Sequence, residues 1–510
     1  MAVAATVAAA AHRAASAQSA PPPPRASEDP QYRTVAQLVE ALAARKVSAV
    51  ELLEASLKRI ATLDPHINAV VVRDFDRARA AAKAADEALA RGERRPLLGV
   101  PMTVKESYDV AGLPTTWGIP AFKDWRPAED AVVVSRLKAA GAVVLGKTNV
   151  PVGLADWQTI NPIHGRTNNP HDIDRTPGGS SGGAAAALAC GYVALEMGSD
   201  IGGSLRTPAH FTGVYGHKPS HGIVPERGHT FPRAVPTASG NGLSVVGPMA
   251  RSAADIATAL DIVAGADERA EGVAWKVALP PARHTGLAGF RVLVLDSHPL
   301  APVAKDIAQA FDRLAGRLAK SGAKVARASP LLPDLAEATR NFVRLLSPVL
   351  AQGRPPEYYE RVRAAAAAMP ADDPGLDALW LRSINAGWRE WRAADIVRDG
   401  MRRRWRALFQ EFDAVVCPAM PTLAFPHDAS DVAGRRLDID GAKHPYIVNL
   451  VWAGFATAAG LPATVAPIDR GAGGLPIGAQ IVGPMLEDRT PIALAALMER
   501  EYGGFVPPVL

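Results

Sequence analysis

Ser180 and Ser204 lie 24 positions apart, each framed by glycine: Pro177-Gly178-Gly179-Ser180-Ser181-Gly182-Gly183 and Asp200-Ile201-Gly202-Gly203-Ser204. Glycine lets a backbone come close to a ligand and turn its N–H groups toward it. A serine in such a frame can attack a carbonyl carbon once a base takes its proton. Histidine is the usual base, and His164, His171, His210, His217, His221 and His229 crowd the same region. No Gly-x-Ser-x-Gly elbow accompanies them, because Leu205-Arg206 follows Ser204. Packing and loop hydrogen bonds account for most of these histidines; His217 and His221 read as pocket residues. Lysine is the other available base. Its amine titrates near ~10.4 in water, so burial or a neighbouring positive charge must hold it neutral. Lys105 ends the apolar run 100–104, which is a buried setting. A lone internal lysine at a strand end is more commonly an ion-pair partner. The company of two glycine-framed serines and the Thr115-Thr116 turn makes it a candidate base.

Regular elements must hold these residues. Thr34-x-x-Gln37 and Ser48-x-x-Glu51 are capping-box patterns. After the second, Val50, Leu53, Leu57, Ile60 and Leu63 recur at helical spacing. Two N-terminal helices are predicted, then an alanine-rich third over 74–92. Short apolar runs at 99–104, 142–145 and 292–295 read as strands, with helical patterns at 131–140 and 303–320 between them. That alternation predicts an α/β fold with a mixed or mostly parallel sheet covered by helices on both faces. Residues 184–189 form a small-faced helix that can be buried at the centre. A helical insertion spans about 332–404, carrying Tyr358, Tyr359, Trp380, Trp388 and Trp391, before strand texture returns at 413–416 and 477–482. No internal repeat appears, so 32–510 reads as one domain with a catalytic core over about 95–250.

The composition excludes several classes. Of 510 residues, 48% are hydrophobic and 21% charged, which suits a globular chain with a sizeable core. The net charge is only +5, and the densest basic run, Arg402-Arg403-Arg404 with Arg406, alternates with Met401, Trp405, Leu408 and Phe409. It reads as the solvated face of a helix, not as a nucleic-acid site. Cys190 and Cys417, both in apolar surroundings, read as buried thiols and imply neither a disulfide nor a metal site. The uncharged stretch 447–468 is broken by Asn449 and Gly460-Leu461-Pro462, so it predicts a buried helix, a turn and a strand, and no membrane span is expected. Residues 1–31 are an Ala/Pro-rich leader, disordered or the remnant of an export signal. Ala15-Ser16-Ala17 resembles a cleavage site, but the basic residues that should precede the apolar run are missing. A cytoplasmic chain is favoured over a periplasmic or secreted one. Residues 141–148 match G-x-x-x-x-G-K-[ST] letter for letter. The strand itself fills the variable positions there, so its N–H groups belong to a sheet ladder and not to a phosphate.

The serine motifs run on through Leu205-Arg206-Thr207-Pro208. With Pro96-Leu97-Leu98-Gly99-Val100-Pro101 up to Lys105, Gly146-Lys147-Thr148-Asn149, Gly165-Arg166-Thr167-Asn168-Asn169-Pro170, Gly216-His217-Lys218-Pro219 and Gly474-Leu475-Pro476-Ile477-Gly478, they resemble the amidase signature family. The resemblance covers nearly the whole chain from Tyr32. It implies a single α/β domain with a large mixed central sheet and a Ser–cis-Ser–Lys triad. Ser204 would be the nucleophile, Ser180 the bridge, next to a cis peptide, and Lys105 the ultimate base. Backbone N–H groups of Ile201, Gly202, Gly203 and Ser204 would hold the oxyanion, and Asp200 and Arg206 would support the loop. No metal or organic cofactor is implied. The expected substrate is a small-molecule amide, cleaved through an acyl-serine. A carbamate or ester on the same triad, or glutamine in the glutaminase subunit of a tRNA-dependent amidotransferase, are the alternatives. A homodimer is the assembly to test. Trp157, His217 and Trp388 are the candidate pocket residues, and the tryptophans point to an apolar or aromatic acyl group. Glu106, Ser199 and His217 depart from the family's usual Asp, Thr and Leu, which leaves the subgroup open and the triad intact.

Overall fold

The computed structural model describes residues 29–234, 240–269, 271–274 and 276–510. Of the expected leader, residues 1–28 lie outside the described ones. Both capping boxes form. Thr34 Oγ accepts from the Gln37 N–H at 3.2 Å and the Gln37 side chain accepts from the Thr34 N–H at 2.9 Å, opening helix α1 (Val35–Ala43). Ser48 and Glu51 do the same for α2 (Ala49–Ile67), which buries Leu53, Leu57, Ile60 and Ile67. Val50, the first residue of the expected stripe, faces solvent instead.

The chain continues through β1 (Val70–Arg73), α3 (Phe75–Ala90), β2 (Pro101–Lys105), α4 (Val132–Ala139) and β3 (Val143–Thr148). The short strands β4 (Ile160–Asn161) and β5 (Gly165–Arg166) pair with each other. Then come α5 (Gly182–Ala189), β6 (Leu195–Asp200), α6 (Arg206–Thr212), β7 (Tyr215–Lys218), β8 (Val245–Ala250), α7 (Ala253–Val263), β9 (Arg291–Val294), α8 (Lys305–Lys320) and β10 (Lys324–Ala326). Four helices, α9 (Leu335–Ala351), α10 (Pro356–Ala367), α11 (Leu376–Ile384) and α12 (Trp388–Glu411), precede β11 (Ala414–Pro418). A hairpin of β12 (Arg436–Ile439) and β13 (Ala442–Pro445) leads to α13 (Leu450–Ala459), β14 (Ala463–Arg470), β15 (Pro476–Val482) and α14 (Arg489–Tyr502).

Eleven strands make one mixed sheet in the order β1-β3-β2-β6-β8-β7-β14-β15-β11-β9-β10, with helices on both faces. Strands β3, β2 and β6 run parallel, as do β11, β9 and β10, and the remaining pairings are antiparallel. In an α/β sheet the carboxyl ends of parallel strands are where ligands bind, and β2 and β6 end there side by side with Lys105 and with Ser199-Asp200. Every residue of α5 is buried, and all but Leu188 are glycine or alanine. This small-faced helix packs against β2, β3, β6 and β8 beneath the serine loop.

The stretch 447–468 resolves as expected: α13 ends at Gly460 (φ +78°) and turns into β14. On α12, Met401, Trp405, Leu408 and Phe409 are buried, while Arg403, Arg404 and Arg406 are exposed. Both cysteines are free and buried. Among the described residues, no helix is long and apolar enough to cross a membrane.

Candidate active site

Lys105 closes β2 with its whole side chain buried. Its amine nitrogen Nζ lies 2.6 Å from Ser180 Oγ and 2.9 Å from Ser199 Oγ. Burial pushes the amine down to about 7, against the opposing pull of the Asp200 and Glu196 charges. Glu196 is itself pushed up to about 8 by burial, although its carboxyl meets Thr148 Oγ1 at 2.8 Å and the Met197 N–H at 2.7 Å. Burial thus disfavours the charged form of both groups, lowering the amine and raising the carboxyl.

Ser180 sits in the loop before α5, and the Gly179–Ser180 peptide is cis. A side chain at Gly179 would place its Cβ 2.5 Å from the Asp156 carbonyl oxygen, so only glycine fits there. Three bonds join this loop to the end of β6 and the turn after it. The Ser181 N–H donates to the Ser204 carbonyl at 3.2 Å, Ser181 Oγ donates to the Ser199 carbonyl at 3.3 Å, and the Ser199 N–H donates to Ser181 Oγ at 3.4 Å.

Ser204 follows β6 in a loop shaped by Asp200. One carboxylate oxygen accepts from the Gly203 N–H at 2.9 Å and the other from the Leu205 N–H at 3.1 Å. Arg206 grips both oxygens, at 2.7 and 2.9 Å, and is anchored in turn on Gln480, Thr457 and the Ala453 carbonyl. Burial works to raise Asp200, but the Arg206 charge and the N–H donors outweigh it and hold the carboxylate at about 2. Gly203 adopts φ +102°, a left-handed conformation that suits only glycine. The expected loop-support pair is therefore in place. The four N–H groups expected to face an oxyanion are not equivalent: that of Gly203 is already engaged by Asp200. Those of Ile201, Gly202 and Ser204 donate to no group among the described residues. Ser204 Oγ likewise makes no hydrogen bond to Ser180 or to any other side chain among the described residues.

The candidate pocket residues divide. Trp157 stands at the loop, its indole N–H donating to the Gly202 carbonyl at 3.0 Å and its ring meeting Tyr446 edge-on at 5.2 Å. His217 does not open onto the site. Its ring lies inside the sheet on β7, with Nδ1 2.9 Å from Thr464 Oγ1 and Nε2 3.1 Å from Asp488 Oδ1. Trp388 is 72% exposed at the start of α12 and stacks on Trp391, so it walls no enclosed pocket. A second histidine, His229, lies 2.9 Å from Ser107 Oγ; burial, then the Lys105 charge, pushes it down to about 3, so it is neutral where Lys105 titrates.

Ser199 is the partner that sequence reasoning missed. Its signal was a hydroxyl residue at the carboxyl end of the strand beside Lys105. Residues 143–148 form β3, and Lys147 Nζ donates to the Pro114 carbonyl and to Thr115 Oγ1, so the apparent phosphate loop is a sheet strand.

A mixed sheet whose parallel strands bring a buried lysine to glycine-framed serines is the architecture of enzymes that hydrolyse amide C–N bonds, and this chain is such an amidase. It belongs to the amidase signature family: residues 51–491 match the family model described as Amidase. Among its relatives, a component of the glutamyl-tRNA(Gln) amidotransferase of Roseiflexus castenholzii is 34% identical over 92% of this chain and 96% of its own length. Indoleacetamide hydrolase of Bradyrhizobium diazoefficiens is 33% identical over 90% of this chain and 84% of its own. Among solved structures, a bacterial aryl acylamidase of the family superposes with a TM-score of 0.77 at 27% identity, covering 92% of this chain and 96% of that one.

Proposed function

We propose that this amidase works through an acyl-serine at Ser204, with Ser180 and Lys105 as its proton relay. The observation that carries the reading is the 2.6 Å contact between a fully buried Lys105 amine and Ser180 Oγ. Desolvation leaves that amine neutral in a large share of molecules at pH 7, so it can take a proton. The Ser180 hydroxyl both donates and accepts, so it can hand its proton to Lys105 while receiving one from Ser204. The Ser204–Ser180 bond closes when substrate is bound, as catalytic hydrogen bonds commonly tighten on binding.

In this scheme Ser204 Oγ attacks the amide carbon and the carbonyl electrons move onto oxygen. The N–H groups of Ile201, Gly202 and Ser204 receive that oxyanion, while Asp200 fixes the loop through Gly203 and Leu205. Loss of one such donor costs ~3–4 kcal/mol of transition-state stabilisation. The relay returns the proton to the leaving nitrogen, and ammonia or an amine departs. Water, deprotonated by the same relay, then releases the acid from Ser204.

Trp157 beside Gly202 supports an aryl or apolar acyl group, as do relatives named for indoleacetamide and aryl acylamide hydrolysis. A panel of aliphatic, aryl and carbamate substrates with intact-mass detection tests the scheme. An acyl adduct on Ser204, absent from Ser204→Ala, is expected; full turnover by Ser204→Ala would remove Ser204 as nucleophile. The amidotransferase relative favours a second reading, a glutaminase that passes ammonia to a partner chain. Glutaminase assay of the pure protein after size exclusion separates the two, since a stand-alone hydrolase works without that partner.

A further inference from the structure

Glu196 lies near the start of β6, fully buried, and forms no ion pair among the described residues. Its Oε2 accepts from the Met197 N–H at 2.7 Å, and its Oε1 accepts from Thr148 Oγ1 at 2.8 Å. Thr148 belongs to β3, and β2 runs between β3 and β6. The bond from Glu196 to Thr148 therefore crosses β2, and the register says where. Glu196 pairs with Thr103, and Thr148 pairs with Lys105. Residues two apart on a strand share a face, so Thr103 and Lys105 point the same way. The Glu196 carboxyl passes over β2 between them, beside the Lys105 side chain.

The other charged groups around this pair are engaged elsewhere. Asp200, the second acid that acts on Lys105, is gripped by Arg206 at 2.7 and 2.9 Å. Lys147, one residue before Thr148, alternates to the opposite face, where it meets Pro114 and Thr115 and where Glu106 and Asp109 act on it. His229 is neutral, and Tyr108, whose phenol burial keeps protonated, donates to the Gly198 carbonyl at 2.6 Å. Strand β8 and helix α5 bring no titratable side chain, and the buried Asp64 of α2 is bonded to the Ala69 and Val70 N–H groups. Glu196 is thus the one unmatched acid beside Lys105 among the described residues. Burial lowers the amine and raises the carboxyl, and each charge draws the other group back toward its ionised form.

We infer that Glu196 is a positioning residue of this amidase: lying across β2, it supplies the countercharge to the ammonium that Lys105 becomes when it takes the serine proton. The inference rests on the reading of Lys105 as the base of the relay. Glu196 touches no substrate and acts through Lys105 alone. A new positive charge in a buried site is costly unless an opposite charge stands near it, and Ser180 and Ser199 offer the ammonium hydroxyls but no charge.

The test is the pH profile of Ser204 labelling by a fluorophosphonate, read in the wild type and in Glu196→Gln, which keeps the size of the side chain and removes its charge. Without the countercharge the ammonium is less stable, so the amine gives up its proton earlier as pH rises. The midpoint should fall by about one pH unit. The limiting rate above it should fall by about 3- to 10-fold, since a weaker base accepts the serine proton less readily. Thr148→Val removes the hydroxyl that holds the carboxyl over β2, and it reads the same downward shift should the glutamine variant not fold, as judged by circular dichroism. A midpoint that stays in place or rises in a folded variant, whatever the rate, makes Glu196 a structural residue and overturns the inference while leaving the relay intact. A wild-type profile with no midpoint, or a midpoint that persists in Lys105→Ala, overturns Lys105 as the base, and the inference falls with it.

Discussion

Lys105 and Lys147 occupy neighbouring parallel strands one register step apart, since Val104 faces Lys147 and Lys105 faces Thr148. Both side chains are fully buried, and burial pushes both amines down, to about 7 and about 8. Their partners differ. Lys105 meets two hydroxyls, Ser180 and Ser199. Lys147 meets the Pro114 carbonyl and Thr115 Oγ1, with the Glu106 and Asp109 charges pulling its pKa upward. A carbonyl only accepts, so it fixes a hydrogen on the amine and holds the 114–117 turn in place. A hydroxyl can give or take a proton. Burial alone therefore does not distinguish them: Lys147 meets a hydroxyl too but is also pinned by a carbonyl, whereas both partners of Lys105 are hydroxyls.

The comparison can be broken by exchanging the two outcomes. Lys105→Ala should lower kcat/KM by about 10³–10⁴-fold while the protein stays folded, because a relay fails as a unit. Near-normal turnover by that variant would end its role. Ser199→Ala removes one of the two hydroxyls that hold Nζ. A single hydrogen bond is worth ~1 kcal/mol, so a loss of about 5-fold in kcat is expected, with recovery in Ser199→Thr. No change in kcat would make Ser199 a bystander. Lys147→Met should alter kcat/KM by less than about 3-fold. It should instead lower stability to urea by ~1–3 kcal/mol, the cost of leaving the Pro114 carbonyl without its donor. A folded Lys147→Met protein as inactive as Lys105→Ala would erase the distinction.

How far the sequence carried this distinction differs from residue to residue. Both capping boxes, the small-faced α5 and the helix-turn-strand over 447–468 were legible because they follow from local pattern: a cap, a run of alanines, a Gly-Leu-Pro break. The lysine in 141–148 was set aside on the same ground, since a strand fills the positions a phosphate loop needs open. Partner identity was not legible. Ser199 reaches Lys105 only because β6 lies beside β2, a pairing of segments 94 residues apart in sequence. The engagement of the Gly203 N–H by Asp200 depends on how the loop curls back on itself. His217 and Trp388 were read as pocket residues from their type, whereas burial within the sheet claims one and solvent exposure on α12 the other. Type and spacing locate candidates; the tertiary fold decides which face of each is available.

In the proposed relay a proton leaves Ser204 for the Lys105 amine, which burial pushes down to about 7. The most direct measurement is the pH dependence of the rate at which a fluorophosphonate modifies Ser204, read in the wild type and in Lys105→Ala. The base is the deprotonated form of Lys105, so the wild-type rate should climb as pH rises and level off above a midpoint of about 7. Lys105→Ala should react slowly and lose that midpoint. A wild-type rate that is flat or falls across neutral pH, or an unchanged profile in Lys105→Ala, would contradict it.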